Sequence, residues 1–305
     1  MTTAAVDARW TPSRRRAARV GAWLVATALL VVCARSVDWH RAAAVLASAR
    51  PGWMALAVAA NAAILPCMAL FWRALRPAPE PPVSVGRMLE VASTATAVMN
   101  TVPFGAGHAA AVLLLVRRAH TSQRGALSVL ALDQLGEGVV KVTLFLLVAA
   151  LVPMPAWMRA GVVTTSLAVA VWLATLVVAS KWAVELRVLH DVRRSASALL
   201  YVAATKLAEA GAIVAVQRAF GVPVTPAGTV LVLAAVILGT IVPVAPGNLG
   251  TYEASALVAY RHLGVAPETA LGMAIAQHVA FILPSVGIGY GFVSARTVGL
   301  RAAES

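Results

Sequence analysis

Long apolar runs alternate with short basic segments along most of the chain. Hydropathy over windows of about 19 residues predicts six runs that cross a bilayer as α-helices. A hydrocarbon core roughly 30 Å thick takes about 20 apolar residues per helix, so the chain has room for about six full spans and little else. The predicted spans are Val20 to Ala34, Trp53 to Trp72, Leu127 to Val152, Val162 to Ser180, Ala196 to Val216 and Thr269 to Val293.

Two further apolar regions, 85–116 and 229–260, are interrupted halfway. The first contains the segment Pro103 to Gly107, and the second contains the segment Pro243 to Gly250. Proline lacks an amide donor and glycine permits positive φ, so neither residue continues a helix. We therefore expect each region to form two short helices joined by irregular backbone.

The distribution of basic residues tests this topology, because lysine and arginine prefer the cytoplasmic side. If each interrupted region returns to the face from which it starts, 17 of the 25 basic residues share the face of the N-terminus and 6 lie opposite, with Lys141 and Lys206 inside spans. If both regions crossed fully, Arg117, Arg118 and Arg124 would change sides and the asymmetry would weaken. The bias predicts cytoplasmic termini and two re-entrant hairpins of opposite orientation, the first opening from the cytoplasm.

Composition agrees with a protein that is solvated by lipid. Hydrophobic residues make up 60% of the 305 positions and charged residues 12%, which leaves too little polar surface for a water-soluble globule. The formal net charge of +13 favours contact with anionic headgroups over nucleic acid, because the basic residues lie at the ends of apolar runs. The expected fold class is an all-α polytopic membrane helix bundle.

The first apolar run resembles an export signal, because four arginines precede it. Neither Leu30 to Cys33 nor Ala34 to Ser36 is a good cleavage site, so we expect this run to be retained as the first helix. The predicted organisation is a basic cytoplasmic segment 1–19, one transmembrane domain 20–295 and a cytoplasmic tail 296–305. Few lysines against many arginines fit a bacterial origin, and hence the plasma membrane.

Ionisable residues at membrane depth cost about 2.5 to 3.5 kcal/mol each on insertion scales, so each is a candidate functional group. Asp133, Glu137 and Lys141 recur at i, i+4 and i+8 and share one helix face, where Glu137 and Lys141 can pair. Lys206 and Glu209 can neutralise each other across one turn. Two interpretations stay open for both sets, namely structural ion pairs or the lining of a polar path for a headgroup.

Two histidines lie in apolar surroundings. His108 follows the first break, and His278 lies within a predicted span beside Gln277. We interpret such histidines as hydrogen-bonded packing residues more readily than as proton relays. No spacing of His, Cys and carboxylate residues in the sequence suggests a metal site, and we expect no cofactor.

The second break is the most informative segment. Pro246 and Gly247 end one half-helix and Gly250 allows a tight turn, while Thr251 can cap the next helix with Glu253 in its first turn. A capped helix break is the structural interpretation. Exposed amides beside a carboxylate at membrane depth are costly without a polar cavity, which favours a functional site.

The segment Pro246-Gly247-Asn248-Leu249-Gly250-Thr251-Tyr252-Glu253 resembles the Pro-Gly-x-Leu-Gly-x-x-Glu signature of the lysylphosphatidylglycerol synthase transmembrane region, a family of flippase-like membrane proteins. The earlier segment from Asn100 to Gly107 resembles the first break of that family, and Leu132 to Glu137 stands where the family carries an acidic residue. After its first break the family commonly has an acidic and then a basic residue, whereas this chain has His108-Ala109-Ala110-Ala111. The resemblance implies the lipid-translocating half alone, without the aminoacyl-transfer domain of full-length synthases.

The sequence therefore predicts a membrane protein, not an enzyme, that binds a lipid or lipid-linked headgroup between two hairpin tips and translocates it. The alternative is a non-transporting partner or regulator of a lipid-modifying or cell-envelope enzyme. We expect membrane lipids as partners, either an anionic phospholipid or a glycolipid, and no nucleic acid; a homo-oligomer or a lipid-modifying enzyme stays open.

The lysines and hairpin amides are expected to hold a phosphate, and the carboxylates to balance charge. The candidate headgroup-binding residues are Asn100, Pro103, Gly105, Gly107, His108, Asp133, Glu137, Lys141, Lys206, Glu209, Pro246, Gly247, Asn248, Gly250 and Glu253.

Overall fold

The structure is a computed structural model that describes residues 44–78, 80–102, 106–151, 156–182, 184–241 and 245–304. Within these ranges it contains helices and no strand, which confirms the predicted all-α bundle. Short 3-10 segments, Val184–His190 and Pro246–Asn248, precede the seventh and ninth helices. The α-helices are α1 (Pro51–Ala62), α2 (Ile64–Leu75), α3 (Val85–Thr101), α4 (Ala106–Arg118), α5 (Gln123–Leu151), α6 (Ala156–Ala179), α7 (Val192–Ala219), α8 (Pro226–Thr240), α9 (Thr251–His262) and α10 (Pro267–Glu304).

Five helical segments within the described ranges are long and apolar enough to cross a membrane. They match five of the six spans predicted from the sequence, and α1 and α2 together form the first of them. The sixth prediction, Val20 to Ala34, and the basic segment 1–19 lie outside the described residues. The chain is thus a multi-pass membrane protein, and its candidate spans are Pro51–Leu75, Gln123–Leu151, Met158–Ala179, Val192–Ala219 and Pro267–Thr297.

Both interrupted regions are broken where the sequence predicts. The helices α3 and α4 have 17 and 13 residues, and α8 and α9 have 15 and 12, whereas a span needs about 20. The side chains of Ser84 and Thr225 cap α3 and α8 by accepting hydrogen bonds from the amides of Arg87 and Gly228. Within each region the two helices pack against each other, so both regions are helical hairpins.

One buried arginine shows where the first hairpin begins and ends. Arg76, directly after α2, donates to the carbonyl oxygen of Pro81, which precedes α3, at 2.7 Å. It also donates to the carbonyl oxygen of Ala119, after α4, at 3.0 Å, and to the hydroxyl of Thr121, before α5, at 3.1 Å. The start of α3 and the end of α4 therefore lie at the same end of the bundle, as a re-entrant hairpin requires.

Helix α7 runs between the two ends of the bundle. Arg194 in its first turn donates to the carbonyl oxygens of Ala74 and Arg76. At its other end, the carbonyl oxygen of Ala219 accepts from the amide of Arg50, which precedes α1, at 3.0 Å. The Arg76 end and the Arg50 end are thus opposite faces of the bundle.

The second hairpin is anchored at the Arg50 end. Gln217, in the last turn of α7, accepts a hydrogen bond from the hydroxyl of Thr229 in the first turn of α8, at 3.1 Å. Leu263, directly after α9, lies close to Gly228 at the start of α8. Both ends of this hairpin therefore lie opposite the ends of the first, which confirms the predicted opposite orientation.

Each hairpin is packed in its own apolar core. One core joins α3 and α4 to α2 and the first half of α5, and it buries Phe71 and Trp72. The other joins α8 and α9 to the end of α7 and the start of α10, and it buries Tyr260. In contrast, α6 leaves Leu167 and Val171 63% and 68% exposed, an apolar surface that suits contact with acyl chains.

Candidate functional site

The broken ends of the two hairpins meet inside the bundle. A Cβ placed on Gly247, in the second break, would lie 3.1 Å from the carbonyl oxygen of Asn100, in the last turn of α3. Gly247 has a φ of 59°, a left-handed conformation that glycine adopts at little cost. Pro103 and Gly105, two of the predicted site residues, lie outside the described residues.

A cavity of about 470 Å³ lies beside these ends. Its lining joins side chains from both hairpins with side chains from α1, α5, α6, α7 and α10. Six of the predicted residues are brought together there: Asn100, His108, Lys141, Lys206, Glu209 and Asn248. Six polar residues that were not predicted as site residues join them: Asn61, Gln134, Thr165, Thr240, Tyr252 and Gln277.

Two lysines and two carboxylates form one ion cluster at the cavity wall. Lys206 Nζ lies 2.6 Å from Glu209 Oε1 on the same helix and 3.3 Å from Glu137 Oε2 on α5. Lys141 Nζ lies 3.3 Å from the same oxygen of Glu137. The predicted pairs within each helix are therefore present. Lys141, Lys206 and Glu209 line the cavity, while Glu137 contacts both lysines. The structural ion pairs are thus observed, and the lining of a polar path for a headgroup stays a prediction.

Asp133, in contrast, lies outside the cavity lining. It is 4% exposed, and its two carboxylate oxygens accept hydrogen bonds from Trp72 Nε1 at 2.8 Å and from Gln134 Nε2 at 3.0 Å. These contacts tie α2 to α5. The predicted polar stripe of α5 is therefore divided, since Asp133 joins two helices, Glu137 pairs with the two lysines, and Lys141 lines the cavity.

Glu253 shapes the second break from behind the lining. Its Oε2 accepts from the amide of Gly250, whose φ is 87°, at 2.7 Å, and its Oε1 lies 2.6 Å from His278 Nδ1. His278 Nε2 lies 2.8 Å from the carbonyl oxygen of Gly247. Because a carbonyl oxygen only accepts, Nε2 carries a proton, and Nδ1 and Glu253 share a further one. These bonds fix the irregular backbone beside the cavity.

The predicted role of Thr251 as the cap of α9 is wrong. Thr251 is the first residue of α9, and its hydroxyl donates to the carbonyl oxygen of Asn248 at 3.0 Å. The residue before the helix is Gly250, so the Glu253 carboxylate takes over the capping by accepting from the backbone amide.

An apolar groove of about 520 Å³ adjoins the cavity between α5 and α6. Four residues line both spaces: Gln134, Thr165, Val169 and Ile241. The groove also contacts Trp172, which is 40% exposed on the apolar surface of α6. The polar cavity therefore continues into an apolar opening on the side of the bundle.

The two breaks and the spans around them match a known family. The family model described as "Lysylphosphatidylglycerol synthase TM region" matches residues 19–289. The chain belongs to this family. No curated protein matches the chain. The lysylphosphatidylglycerol synthase transmembrane region is the membrane part of its namesake rather than the catalytic domain, and the match includes both hairpins and nearly all of every described span.

The sequence did not predict several polar residues that lie at the site of this lysylphosphatidylglycerol synthase transmembrane region. Tyr252 stacks on His278 with ring centroids 4.2 Å apart. Gln277 Nε2 donates to the Tyr252 hydroxyl at 2.9 Å, and its Oε1 accepts from the Tyr260 hydroxyl at 2.7 Å. His278 is thus a hydrogen-bonded packing residue, as its sequence context indicates. Asn61 could have been predicted as a site residue, because it is a polar amide within an apolar span.

The remaining predicted residues shape the hairpins of this transmembrane region. A Cβ on Gly107 would lie 2.5 Å from Cα of Met99, so glycine allows α3 and α4 to approach closely. The expectation that Pro246 and Gly247 end a half-helix is wrong, because α8 already ends at Thr240 and Pro246 begins the 3-10 segment. Within the described ranges, no three His, Cys, Asp or Glu side chains come together in a way that could hold a metal ion.

Proposed function

We propose that the protein binds the headgroup of a membrane lipid in the cavity between the hairpin ends and moves it across the bilayer. The acyl chains stay in the groove and in the surrounding lipid. The observation that carries the proposal is that the polar, ion-paired cavity continues into an apolar groove open to the side. A water-soluble cargo needs no such side opening, whereas a lipid has both a polar and an apolar part to accommodate.

The energetics of burial support a polar occupant. Ionic side chains and irregular backbone at membrane depth are tolerated where they line a water-filled or ligand-filled space. The ion cluster, the cavity amides and the second break meet that condition together. A headgroup in hydrocarbon lacks hydrogen-bonding partners, so the cavity lowers its barrier by supplying them.

The opposed hairpins provide access to the cavity from both faces of the bundle. The first is anchored at the Arg76 end and the second at the Arg50 end, and broken helices that meet around a central site are the arrangement of inverted-repeat transporters. Displacement of one hairpin opens the cavity towards its own face while the other hairpin stays closed.

We propose that the protein lies in the bacterial plasma membrane with both termini in the cytoplasm. The Arg76 end also carries Arg194 and the Arg296–Glu90 ion pair, and basic residues favour the cytoplasmic side. A membrane-impermeant maleimide tests this orientation in intact cells that express single-cysteine variants. Ser122→Cys is expected to stay unlabelled and Arg261→Cys to be labelled; the reverse pattern would invert the topology.

Lipid movement is tested with the purified full chain in phosphatidylcholine vesicles. Each vesicle carries a trace of tail-labelled glycosyl diacylglycerol, phosphatidylglycerol or phosphatidylethanolamine, and dithionite quenching follows the outward movement of the label. The wild type is expected to accelerate movement of at least one lipid by tenfold or more over empty vesicles. No acceleration of any of the three by folded protein would overturn the proposal and favour a non-transporting partner of a lipid-modifying enzyme.

A charge-balanced variant links the movement to the cavity. Lys206→Gln combined with Glu209→Gln removes one ion pair without leaving an unpaired charge, and it is expected to reduce lipid movement tenfold or more. Lys181→Gln is the matched control, because Lys181 is exposed after α6 and lies outside the cavity lining. Equal rates in the two variants would remove the cavity from the mechanism.

A further inference from the structure

We infer that the headgroup taken by this cavity is uncharged and rich in hydroxyl groups, as a glycosyl headgroup is. The inference rests on the proposed function and names its cargo. Two independent features carry it: the charge balance of the cavity wall and the kind of hydrogen-bonding atoms that the wall presents.

The charge of the wall is already balanced. Glu137 and Glu209 neutralise Lys141 and Lys206, and Lys206 lies between two carboxylates. A phosphate that bound either lysine would have to displace a carboxylate and would add one net negative charge at membrane depth, where an unbalanced charge is costly. An uncharged headgroup leaves every ion pair intact.

Three carboxamides of the wall are oriented with their oxygens left for other donors. The amide nitrogens of Asn61 and Asn100 each donate to a carbonyl oxygen of their own helix at 3.0 Å. The amide nitrogen of Gln134 donates to the Asp133 carboxylate at 3.0 Å. Because these partners only accept, the nitrogen and oxygen positions are fixed by the bonds themselves. The amide oxygens therefore remain as acceptors, and each amide nitrogen keeps one further hydrogen to donate.

Asn248 adds a fourth acceptor from the second break. Its Oδ1 is buried, and no donor among the described residues reaches it. A buried acceptor without a partner costs about 1–3 kcal/mol. A ligand hydroxyl would recover this cost once a small displacement of the Asn248 side chain turned the oxygen towards the cavity.

The four acceptors come from α1, α3, α5 and the second break, so they surround the cavity rather than form one patch. Acceptors require donors in the ligand. A phosphodiester has acceptor oxygens and no donor of its own, whereas each hydroxyl of a sugar donates one hydrogen bond and accepts others. The wall offers acceptors as well as donors, and a polyol can satisfy both kinds, whereas a phosphodiester satisfies only the donors.

The vesicle assay with three tail-labelled lipids tests this assignment directly. With equal acyl chains, glycosyl diacylglycerol is expected to move at least tenfold faster than phosphatidylglycerol and phosphatidylethanolamine. Faster movement of either phospholipid, or equal movement of all three, would overturn the cargo assignment and leave lipid transport standing. Absence of movement for every lipid would instead remove the proposed function.

Variants of single amides test recognition, and the unfolding midpoint of each is measured beside transport because Gln134 also donates to the buried Asp133 carboxylate. Gln134→Met and Asn61→Leu remove acceptors at similar volume. Asn248→Gly removes a third acceptor, and glycine readily adopts the φ of 57° that Asn248 has. Each is expected to lower glycolipid movement about tenfold and phospholipid movement much less. Gln217→Met is the matched control, since Gln217 is a buried amide outside the cavity lining, and it is expected to preserve the preference. Equal losses for all lipids in the three cavity variants, or no losses, would overturn the role of these oxygens.

Discussion

Gly289 of α10 crosses α3 so closely that a Cβ on it would lie 2.3 Å from the carbonyl oxygen of Ser93. Because the neighbouring atom belongs to the backbone, no rotamer change relieves the contact. We expect Gly289→Ala to lower the free energy of unfolding by about 1–3 kcal/mol through overpacking, measured by thermal or denaturant unfolding in detergent.

Gly287 and Gly291 provide matched controls for this substitution, because a Cβ on either meets no atom within 4 Å. Alanine is the better helix former by about 0.5–1 kcal/mol, so Gly287→Ala and Gly291→Ala should leave stability unchanged or raise it. A loss of similar size in all three variants would contradict the close crossing of α3 and α10.

Trp72→Phe is expected to destabilise the protein because it removes the indole donor from Asp133 and leaves a buried carboxylate oxygen without its partner. The expected loss is about 1–3 kcal/mol, followed as a fall in the unfolding midpoint in detergent. Trp172→Phe is the control, since the Trp172 indole is on the exposed face of α6 and its bond to the carbonyl oxygen of Ala131 is 3.4 Å long. Equal destabilisation by both substitutions would argue against the Asp133 bond.

Lys206→Gln alone should destabilise the protein more than the double substitution with Glu209→Gln. The single change leaves Glu137 and Glu209 with only Lys141 to balance them, and removing one partner of a buried ion pair costs about 3 kcal/mol or more. The double variant restores the balance, so most of the stability should return while lipid movement stays low. Stability is measured as the unfolding midpoint; a double variant no more stable than the single one would show that charge balance is not the cause.

Gly247→Ala is expected to impair lipid movement by displacing the meeting point of the hairpins. The new methyl group would contact Asn100 and would lie 2.8 Å from Cδ1 of Ile282. A left-handed φ also costs an alanine about 1–2 kcal/mol. Gly221→Ala isolates this second effect, because Gly221 has a φ of 67° and open space around it. Both variants should lose some stability, and only Gly247→Ala should slow transport in vesicles; equal transport by both would contradict the role of the contact.

The spans and both breaks follow from the sequence because they depend on local properties. Apolar length decides a span, and a cluster of proline and glycine residues interrupts a helix, as between Thr240 and Thr251, whereas the single Pro284 lies within α10. The pairs Glu137–Lys141 and Lys206–Glu209 are equally local, since helical spacing alone brings them together. Charge asymmetry predicted the opposed hairpins through the basic residues at helix ends.

The remaining features depend on which helix faces pack together, and a single sequence does not show this. Asp133 meets Trp72 from a different span, and Glu137 meets Lys206 across the bundle, so neither contact has a spacing signal. The same holds for Asn61 and Gln134, which become cavity residues only because α1 and α5 turn those faces inward. Thr251 was assigned as a cap because it is a good capping residue, but the helix starts one position earlier than that role requires.

Because the groove opens on the side of the bundle, selectivity for the headgroup is separate from selectivity for the acyl chains. The walls of the polar cavity limit the size of the headgroup that fits, whereas the groove leads to the outside and sets no limit on the length of the acyl chains attached to it. Under the proposed function, a protein built this way distinguishes lipids by their headgroups and not by their acyl chains. Lipids that differ only in fatty-acid composition should then be handled alike, so changes in membrane fluidity that the cell makes by remodelling its acyl chains would leave the cargo range unaltered.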